Sequence, residues 1–238
     1  MPTPQKAPAI TSERYWWDQG AVVAGVDEVG RGAWAGPVTY GAVILRRTKR
    51  LYGLRDSKML PPQRRTVLAE RIQHRALGVS VGQCSNDEID RLGMSAAMQL
   101  AARRALDGLP LRPDVCLLDG NWNFLKDAGT HNELLIRGDQ RSASIAAASI
   151  AAKVARDAEM TGLSDGYPAY DFWSNKGYPT PTHLAALDRW GPCVLHRHSW
   201  RPVEQAGQLK LFTWEESVTD SDIMAETRSG TAVAPAGW

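Results

Sequence analysis

Short apolar runs that end in acidic residues recur along the chain. Each run is continuous and only a few residues long, which is typical of a buried β-strand. The three runs are 21–26, followed by Asp27 and Glu28; 115–118, followed by Asp119; and 134–136, which leads to Asp139. In an α/β sheet such strand ends share one edge, where sites usually form. The pattern therefore predicts a cluster of carboxylates at one edge of a sheet.

Periodic segments between these runs predict the remaining elements. They are a strand over 38–45, a helix over 61–76 opened by two prolines, a strand over 77–81, a helix over 86–108 capped by Asn86 or Asp87, a helix over 142–160, and a last helix over Pro181–Trp190. The segment 142–160 is rich in Ala and Ser, so we expect it to pack closely against its neighbours. Together these elements indicate an α/β fold.

Composition divides the chain into a body and two ends. With 238 residues it is long enough for one substantial core. We expect a loose leader over 1–14, a folded domain over 15–203, and an acidic, flexible tail over 204–238. The tail has six acids against two bases, a net charge of −4, so the total of +2 leaves +6 on residues 1–203. A basic body suits a polyanionic partner.

Several classes of protein and of site are disfavoured. No apolar run is long enough to span a membrane, and the N-terminus lacks a signal-peptide pattern. The three cysteines are scattered and have no CxxC spacing, so we expect a reducing cytoplasm rather than disulfides. Residues 30–35 fit a G-x-G-x-x-A fingerprint, but Pro37 and Val38 continue an extended chain instead of a helix. Zinc at Cys193, His196 and His198 lacks a second ligand pair nearby.

The four acids Asp27, Glu28, Asp119 and Asp139 carry the candidate chemistry. Converging carboxylates repel one another unless cations lie between them, and oxygen ligands suit Mg²⁺ or Mn²⁺. Two such ions predict phosphodiester hydrolysis. Successive strand residues point to opposite faces, so we expect the strand to end or bulge between Asp27 and Glu28. Two local roles stay open: a turn aspartate at Asp119 and a helix cap at Asp139.

The motifs, taken in order, resemble the prokaryotic ribonuclease HII family of the RNase H superfamily. The matching segments are 25–32, 35–38, 56–58, 118–120, 138–139, 144–157, 176–178, 182–183, 191–192 and 196–197. The resemblance implies an RNase H-like fold: a mixed central sheet flanked by helices, with a small helical C-terminal part. It also implies an endonuclease that cuts the RNA strand of RNA/DNA hybrids and single ribonucleotides in duplex DNA, leaving 3′-hydroxyl and 5′-phosphate ends.

The resemblance also assigns roles to individual residues. Asp27, Glu28, Asp119 and Asp139 correspond to the metal-binding carboxylates. Gly30, Arg31 and Gly32 correspond to a loop that senses the ribose 2′-hydroxyl, which fits the close approach that glycines allow. Tyr178 corresponds to a tyrosine at the neighbouring sugar, and Lys58 and Lys153 are candidate phosphate ligands. Without the resemblance, the sequence indicates that Tyr178 is an aromatic residue packed in an irregular loop and that the two lysines are solvated.

The acidic tail contains one apolar island. The residues are Gln208, Leu209, Lys210, Leu211 and Phe212. The island resembles the short peptide with which bacterial replication and repair proteins dock onto the sliding clamp, with Gln208, Leu209, Leu211 and Phe212 as its contact residues. The alternative is a turn that folds back onto the body.

Two alternative functions stay open for the whole chain, which we expect to be a monomer. One is a basic nucleic-acid-binding module without catalysis, which would leave the acids unexplained. The other is a different nuclease of the same superfamily, such as a junction resolvase.

Overall fold

A computed structural model describes residues 7–48, 51–54, 57 and 60–207. The predicted phosphate ligand Lys58 and the whole island of residues 208–212 lie outside the described residues. The elements, in chain order, are α1 (Thr11–Trp17), β1 (Val23–Val29), β2 (Val38–Ile44), α2 (Pro62–Arg75), β3 (Gly78–Cys84), α3 (Asn86–Leu92), α4 (Met94–Asp107), β4 (Val115–Asp119), β5 (His131–Leu135), α5 (Gly138–Arg141), α6 (Ala143–Leu163), α7 (Phe172–Asn175) and α8 (Pro181–Trp190).

The five strands form one mixed sheet in the order β3-β2-β1-β4-β5. Strands β3, β2 and β1 pair antiparallel, with Val26 opposite Ala42. Strands β1, β4 and β5 pair parallel, with Val26 beside Leu118 and Asp119 beside Leu135. The carboxyl ends of the three parallel strands therefore meet at one edge of the sheet, as the sequence predicts.

Helices cover both faces of the sheet and close two cores. On one face, α4 packs against β2 and β3, and its Met98 shares a buried cluster with Val26, Tyr40 and Leu118. On the other face, α6 packs against β1 and β2, with α2 beside it. A third cluster around Phe172 and the last helices forms the small helical C-terminal part. In the part of the chain that the structure describes, no helix has the length and apolarity that a membrane crossing requires.

Close contact between α6 and the sheet depends on residues without bulky side chains. Ala146, Ala147, Ala148 and Ala152 of α6 are fully buried. A Cβ atom at Gly25 of β1 would overlap the backbone of the first turn of α6. The small-residue packing predicted for this segment is confirmed. The helix begins after Ser142, whose hydroxyl accepts a hydrogen bond from Ile145 N at 3.2 Å.

Two expected boundaries differ in the structure. The single helix expected over 86–108 is two helices, because Gly93 has a φ of 76° and ends α3 before α4 begins. The N-cap of α3 is Ser85, which forms a capping box with Glu88, and neither Asn86 nor Asp87 is the cap.

The N-terminal segment also differs from the loose leader expected over 1–14. Residues 11–14 already belong to α1, and Glu13 is fully buried. Its Oε1 accepts hydrogen bonds from Ser142 Oγ at 2.6 Å and from Ser144 N and Oγ at 2.8 Å. A buried carboxylate needs such partners. Sequence periodicity missed this contact because its partners lie about 130 residues away.

The close packing of α6 predicts opposite effects for two glycine substitutions. Gly25→Ala should lower the free energy of unfolding by about 1–3 kcal/mol or more, because the new methyl group forces the helix away from the sheet. Gly162→Ala, on the exposed side of α6 where a Cβ meets nothing within 4 Å, should raise it by about 0.5–1 kcal/mol. Urea denaturation measures both changes. A Gly25→Ala variant as stable as the parent protein would contradict the packing account.

Candidate active site

The four predicted carboxylates line one cleft at the carboxyl ends of the parallel strands. The cleft has a volume of about 350 Å³, and its lining includes Asp27, Glu28, Asp119, Asp139, Ser57, Ser149, Lys153 and Tyr178. A wider depression of about 560 Å³ lies elsewhere, beside Arg14, Arg47 and Arg75, and has no acidic residue in its lining. The smaller cleft is therefore the one whose side chains can support acid, base or metal chemistry.

Asp27 and Asp119 lie side by side on the face of the sheet that α6 covers. They are one residue beyond the paired Val26 and Leu118 on adjacent parallel strands. Asp119 Oδ1 accepts a hydrogen bond from Gly138 N at 2.6 Å. This bond ties the end of β4 to the start of α5, which carries Asp139.

Asp27 lies in an environment that disfavours its ionised form. Its residue exposure is only 6 %. Burial raises the pKa of Asp27 well above its usual range, and the charges of Glu28 and Asp119 raise it further. Hydrogen bonds from Ser149 and from Glu28 N, the latter at 2.8 Å, oppose part of this rise. A nearby cation would therefore stabilise the ionised form of Asp27.

The expected break between Asp27 and Glu28 is wrong. Strand β1 continues to Val29 with regular pairing, Asp27 opposite Gly41 and Glu28 opposite Tyr40. The two side chains consequently leave opposite faces of the sheet. Both still line the cleft, because it lies at the end of the sheet, where side chains from either face reach it.

The donor atoms of the cleft fit a hard divalent cation. Carboxylate and hydroxyl oxygens line it, together with one lysine, and no His or Cys belongs to its lining. Such oxygens are the ligands of Mg²⁺ and Mn²⁺. Within residues 7–48, 51–54, 57 and 60–207, however, no three His, Cys, Asp or Glu side chains are close enough together to hold an ion. The acids share the cleft without converging on one point, which matches the few protein ligands that Mg²⁺ takes.

Two serines in the cleft were not singled out from the sequence. Ser57 Oγ and Ser149 Oγ lie 3.0 Å apart, and Ser149 also hydrogen-bonds Asp27. Both residues belong to segments quoted for the family resemblance, 56–58 and 144–157. Their place in these segments could have marked the two serines as candidate site residues. Their role follows from the structure, in which Ser57 contacts Ser149 and Ser149 contacts Asp27.

The glycine loop, defined here as residues 30–37, borders the cleft and touches Tyr178. Gly30 N donates a hydrogen bond to Tyr178 Oη at 3.1 Å. Gly30 has a φ of +86°, and a Cβ there would overlap the side chain of Arg156. Gly32 is exposed, and a Cβ on it would meet nothing within 4 Å. The protein itself therefore does not require glycine at residue 32, which leaves space for a ligand to approach the main chain.

Lys153 lies in the cleft but already has a partner. Its Nζ is 2.7 Å from Asp157 Oδ1 and 5.7 Å from the centroid of the Tyr178 ring. Residues 149, 153 and 157 follow one another at helical spacing, so one stripe of α6 faces the site. Lys153 can meet a phosphate only by sharing or leaving Asp157.

Comparisons with known proteins agree with this geometry. The family model for Ribonuclease HII matches residues 24–203. The Ribonuclease HII of Streptomyces avermitilis is 45 % identical over 202 residues, covering 85 % of this chain and 86 % of the relative. The crystal structure of the ribonuclease H2 from Pyrococcus horikoshii OT3 has a TM-score of 0.68 at 26 % identity, covering 78 % of this chain and 97 % of that chain.

A further solved structure shares the fold. It is the PCNA:RNase HII complex from Archaeoglobus fulgidus, with a TM-score of 0.66 and 24 % identity over 77 % of this chain and 96 % of that chain. The RNase H-like fold expected from the sequence is thereby confirmed. With a family match that spans most of its length, the chain belongs to the ribonuclease HII family and is an enzyme of the ribonuclease H type.

Proposed function

We propose that this enzyme hydrolyses the RNA strand of RNA/DNA hybrids and incises duplex DNA at embedded ribonucleotides, leaving 3′-hydroxyl and 5′-phosphate ends. The observation that carries the proposal is the shared cleft: four acids from β1, β4 and α5 line it beside the glycine loop and Tyr178. A catalytic group and a sugar-recognition surface are therefore neighbours in the fold.

Asp27, Glu28, Asp119 and Asp139 would hold two Mg²⁺ or Mn²⁺ ions together with the substrate. When bound, such ions neutralise the scissile phosphate, supply a nucleophilic water at neutral pH and stabilise the leaving oxygen. The protein residues contribute the fixed negative charge that attracts the ions. Burial of Asp27 supports this role, because an adjacent cation would stabilise the ionised form that burial disfavours.

The glycine loop and Tyr178 would recognise the ribose. Arg31 and Gly32 are exposed residues whose main chain offers hydrogen-bonding groups of the size that a 2′-hydroxyl needs, and Tyr178 offers a ring for the adjacent sugar. Lys153 would bind a phosphate, and we assign the same role to Lys58 from the sequence. The net charge of +6 on residues 1–203 supports a polyanionic duplex as substrate.

We also place the enzyme in the cytoplasm as a monomer. Cys84, Cys116 and Cys193 are free thiols, which suits a reducing compartment.

Removing one carboxylate charge tests the proposed chemistry. Asp27→Asn and Asp139→Asn should each lower cleavage of a duplex bearing one ribonucleotide by at least about 100-fold, since metal assistance supplies several kcal/mol. The assay compares Mg²⁺, Mn²⁺ and no added metal, with circular dichroism to verify folding. Asp18→Asn is the matched control, because Asp18 is exposed and pairs with Arg47 on the surface.

Substantial activity in either cleft variant would overturn that residue's assignment. Binding without cleavage in both metals would favour the non-catalytic nucleic-acid-binding module. Equal cleavage of an all-DNA substrate would favour a junction resolvase or another nuclease of the superfamily.

The apolar island of the tail supports a second function, docking onto a sliding clamp. Gln208, Leu209, Leu211 and Phe212 carry this proposal from the sequence alone. The RNase HII of Archaeoglobus fulgidus compared above forms a complex with PCNA. Recruitment to replicated DNA would bring the enzyme to duplexes in which ribonucleotides are embedded.

A pull-down on immobilised bacterial sliding clamp tests the docking proposal. The variant Leu211→Ala with Phe212→Ala should lose most of the retention, because two apolar side chains carry much of such a contact. Val218→Ala, elsewhere in the tail, serves as the control and should be retained like the parent protein. Unchanged retention of the double variant would rule the island out as the docking segment.

A further inference from the structure

Two fully buried arginines lie behind the glycine loop. They are Arg156 of α6 and Arg197, each with 0 % exposure. Taking an ionised guanidinium out of water costs several kcal/mol unless its donors are satisfied. Among the described residues, neither arginine forms an ion pair with a carboxylate. The acceptors of their hydrogen bonds therefore indicate the role of the two arginines.

Arg197 donates hydrogen bonds to both ends of the glycine loop. Its Nη2 donates to the carbonyl of Gly30 at 2.7 Å and its Nη1 to that of Arg31 at 3.0 Å. At the other end, Nε donates to Gly36 O at 3.0 Å and Nη2 to Pro37 O at 3.1 Å. One planar group thus fixes four carbonyls of the loop.

Arg156 connects the same loop to the segment before Tyr178. Its Nε donates to Pro37 O at 2.9 Å and its Nη2 to Ala35 O at 3.0 Å. Its Nη1 donates to Lys176 O at 2.9 Å. Burial and the nearby charge of Arg156 lower the pKa of Arg197 to about 9. Both charges are thus held close together by main-chain oxygens.

The contacts of Arg197 determine how the tip of the loop presents its amides. The described residues contain no cis peptide bond, so each C=O is opposite the N–H of the same peptide plane. Because the carbonyls of Gly30 and Arg31 point inward to Arg197, the N–H groups of Arg31 and Gly32 point away from it. Arg31 and Gly32 are the exposed residues of the loop tip.

We propose that Arg197 is a positioning residue for ribose recognition, which aims the Arg31 and Gly32 N–H groups at the substrate, with Arg156 aligning the loop against Tyr178. This inference rests on the function proposed above. Apolar side chains of similar volume could fill the same space and often stabilise a protein more than a buried charge does. Two buried guanidinium groups bonded to carbonyls instead fix the direction of each peptide plane.

The test measures how strongly the enzyme depends on the 2′-hydroxyl. Single-turnover cleavage is compared on two duplexes that differ at one sugar, one with a 2′-hydroxyl and one with a 2′-fluoro group, which is a poor hydrogen-bond acceptor. The variant is Arg197→Lys, which keeps the charge but loses the planar fork. We expect the ratio of the two rates to fall at least about tenfold, the value of one well-placed hydrogen bond.

Arg104→Lys is the matched control, because Arg104 pairs with Glu88 on the surface, and its ratio should equal that of the parent protein. Arg156→Lys is the second variant and decides the matter if Arg197→Lys does not fold. A merely structural role would lower both rates together and leave the ratio unchanged, and that result in the folded variants would overturn the proposal. If the parent enzyme itself cut both duplexes equally, the proposed ribose recognition would fail instead.

Discussion

The close contact between α6 and the central strands is the constraint on which the rest of the structure depends. Because Gly25 and the buried alanines are small, the backbone of α6 approaches β1 more closely than larger side chains would allow. At that distance one stripe of α6 brings Ser149 to Asp27, Lys153 to the cleft and Arg156 to the glycine loop. The same contact that closes the core therefore positions α6 residues at both the carboxylate cleft and the glycine loop.

Close packing also buries a carboxylate, whose unfavourable ionisation is the basis of the proposed cation binding. Asp27 is shielded from water beside Glu28 and Asp119, so its ionised form is destabilised in the protein alone. On the other side of the glycine loop, two buried guanidinium groups are held by carbonyls. The negative cluster suits divalent cations and the exposed loop tip suits a sugar. In the proposed function, two of the metal-binding carboxylates and the main chain that meets the sugar thus share one short stretch of chain, residues 27–32.

Local patterns in the sequence predict most of the strands and the edge at which Asp27, Asp119 and Asp139 meet. The expectation of a buried strand over 134–136 is wrong, because β5 spans His131–Leu135 and the side chains of Leu134 and Ile136 are exposed. Local patterns do not predict contacts between distant residues. The regular passage of β1 through Asp27 and Glu28 follows from its pairing with β2, and the burial of Glu13 follows from Ser142 and Ser144 at the start of α6. The sequence gives Arg197 no role beyond its place in the motif 196–197, yet it is fully buried and bonds residues more than 150 positions away. Such roles become visible only when both partners are placed in space.

Thermal unfolding of the parent protein and of Asp27→Asn, each with and without Mn²⁺, tests the central claim most directly. If the buried carboxylate awaits a cation, Asp27→Asn should melt at a higher temperature than the parent protein in the absence of metal, because a destabilising charge is gone. Mn²⁺ should raise the melting temperature of the parent protein, since a ligand that binds the folded state stabilises it, and should have little effect on Asp27→Asn. A variant that melts lower without metal, or an equal rise in both proteins, would contradict the account.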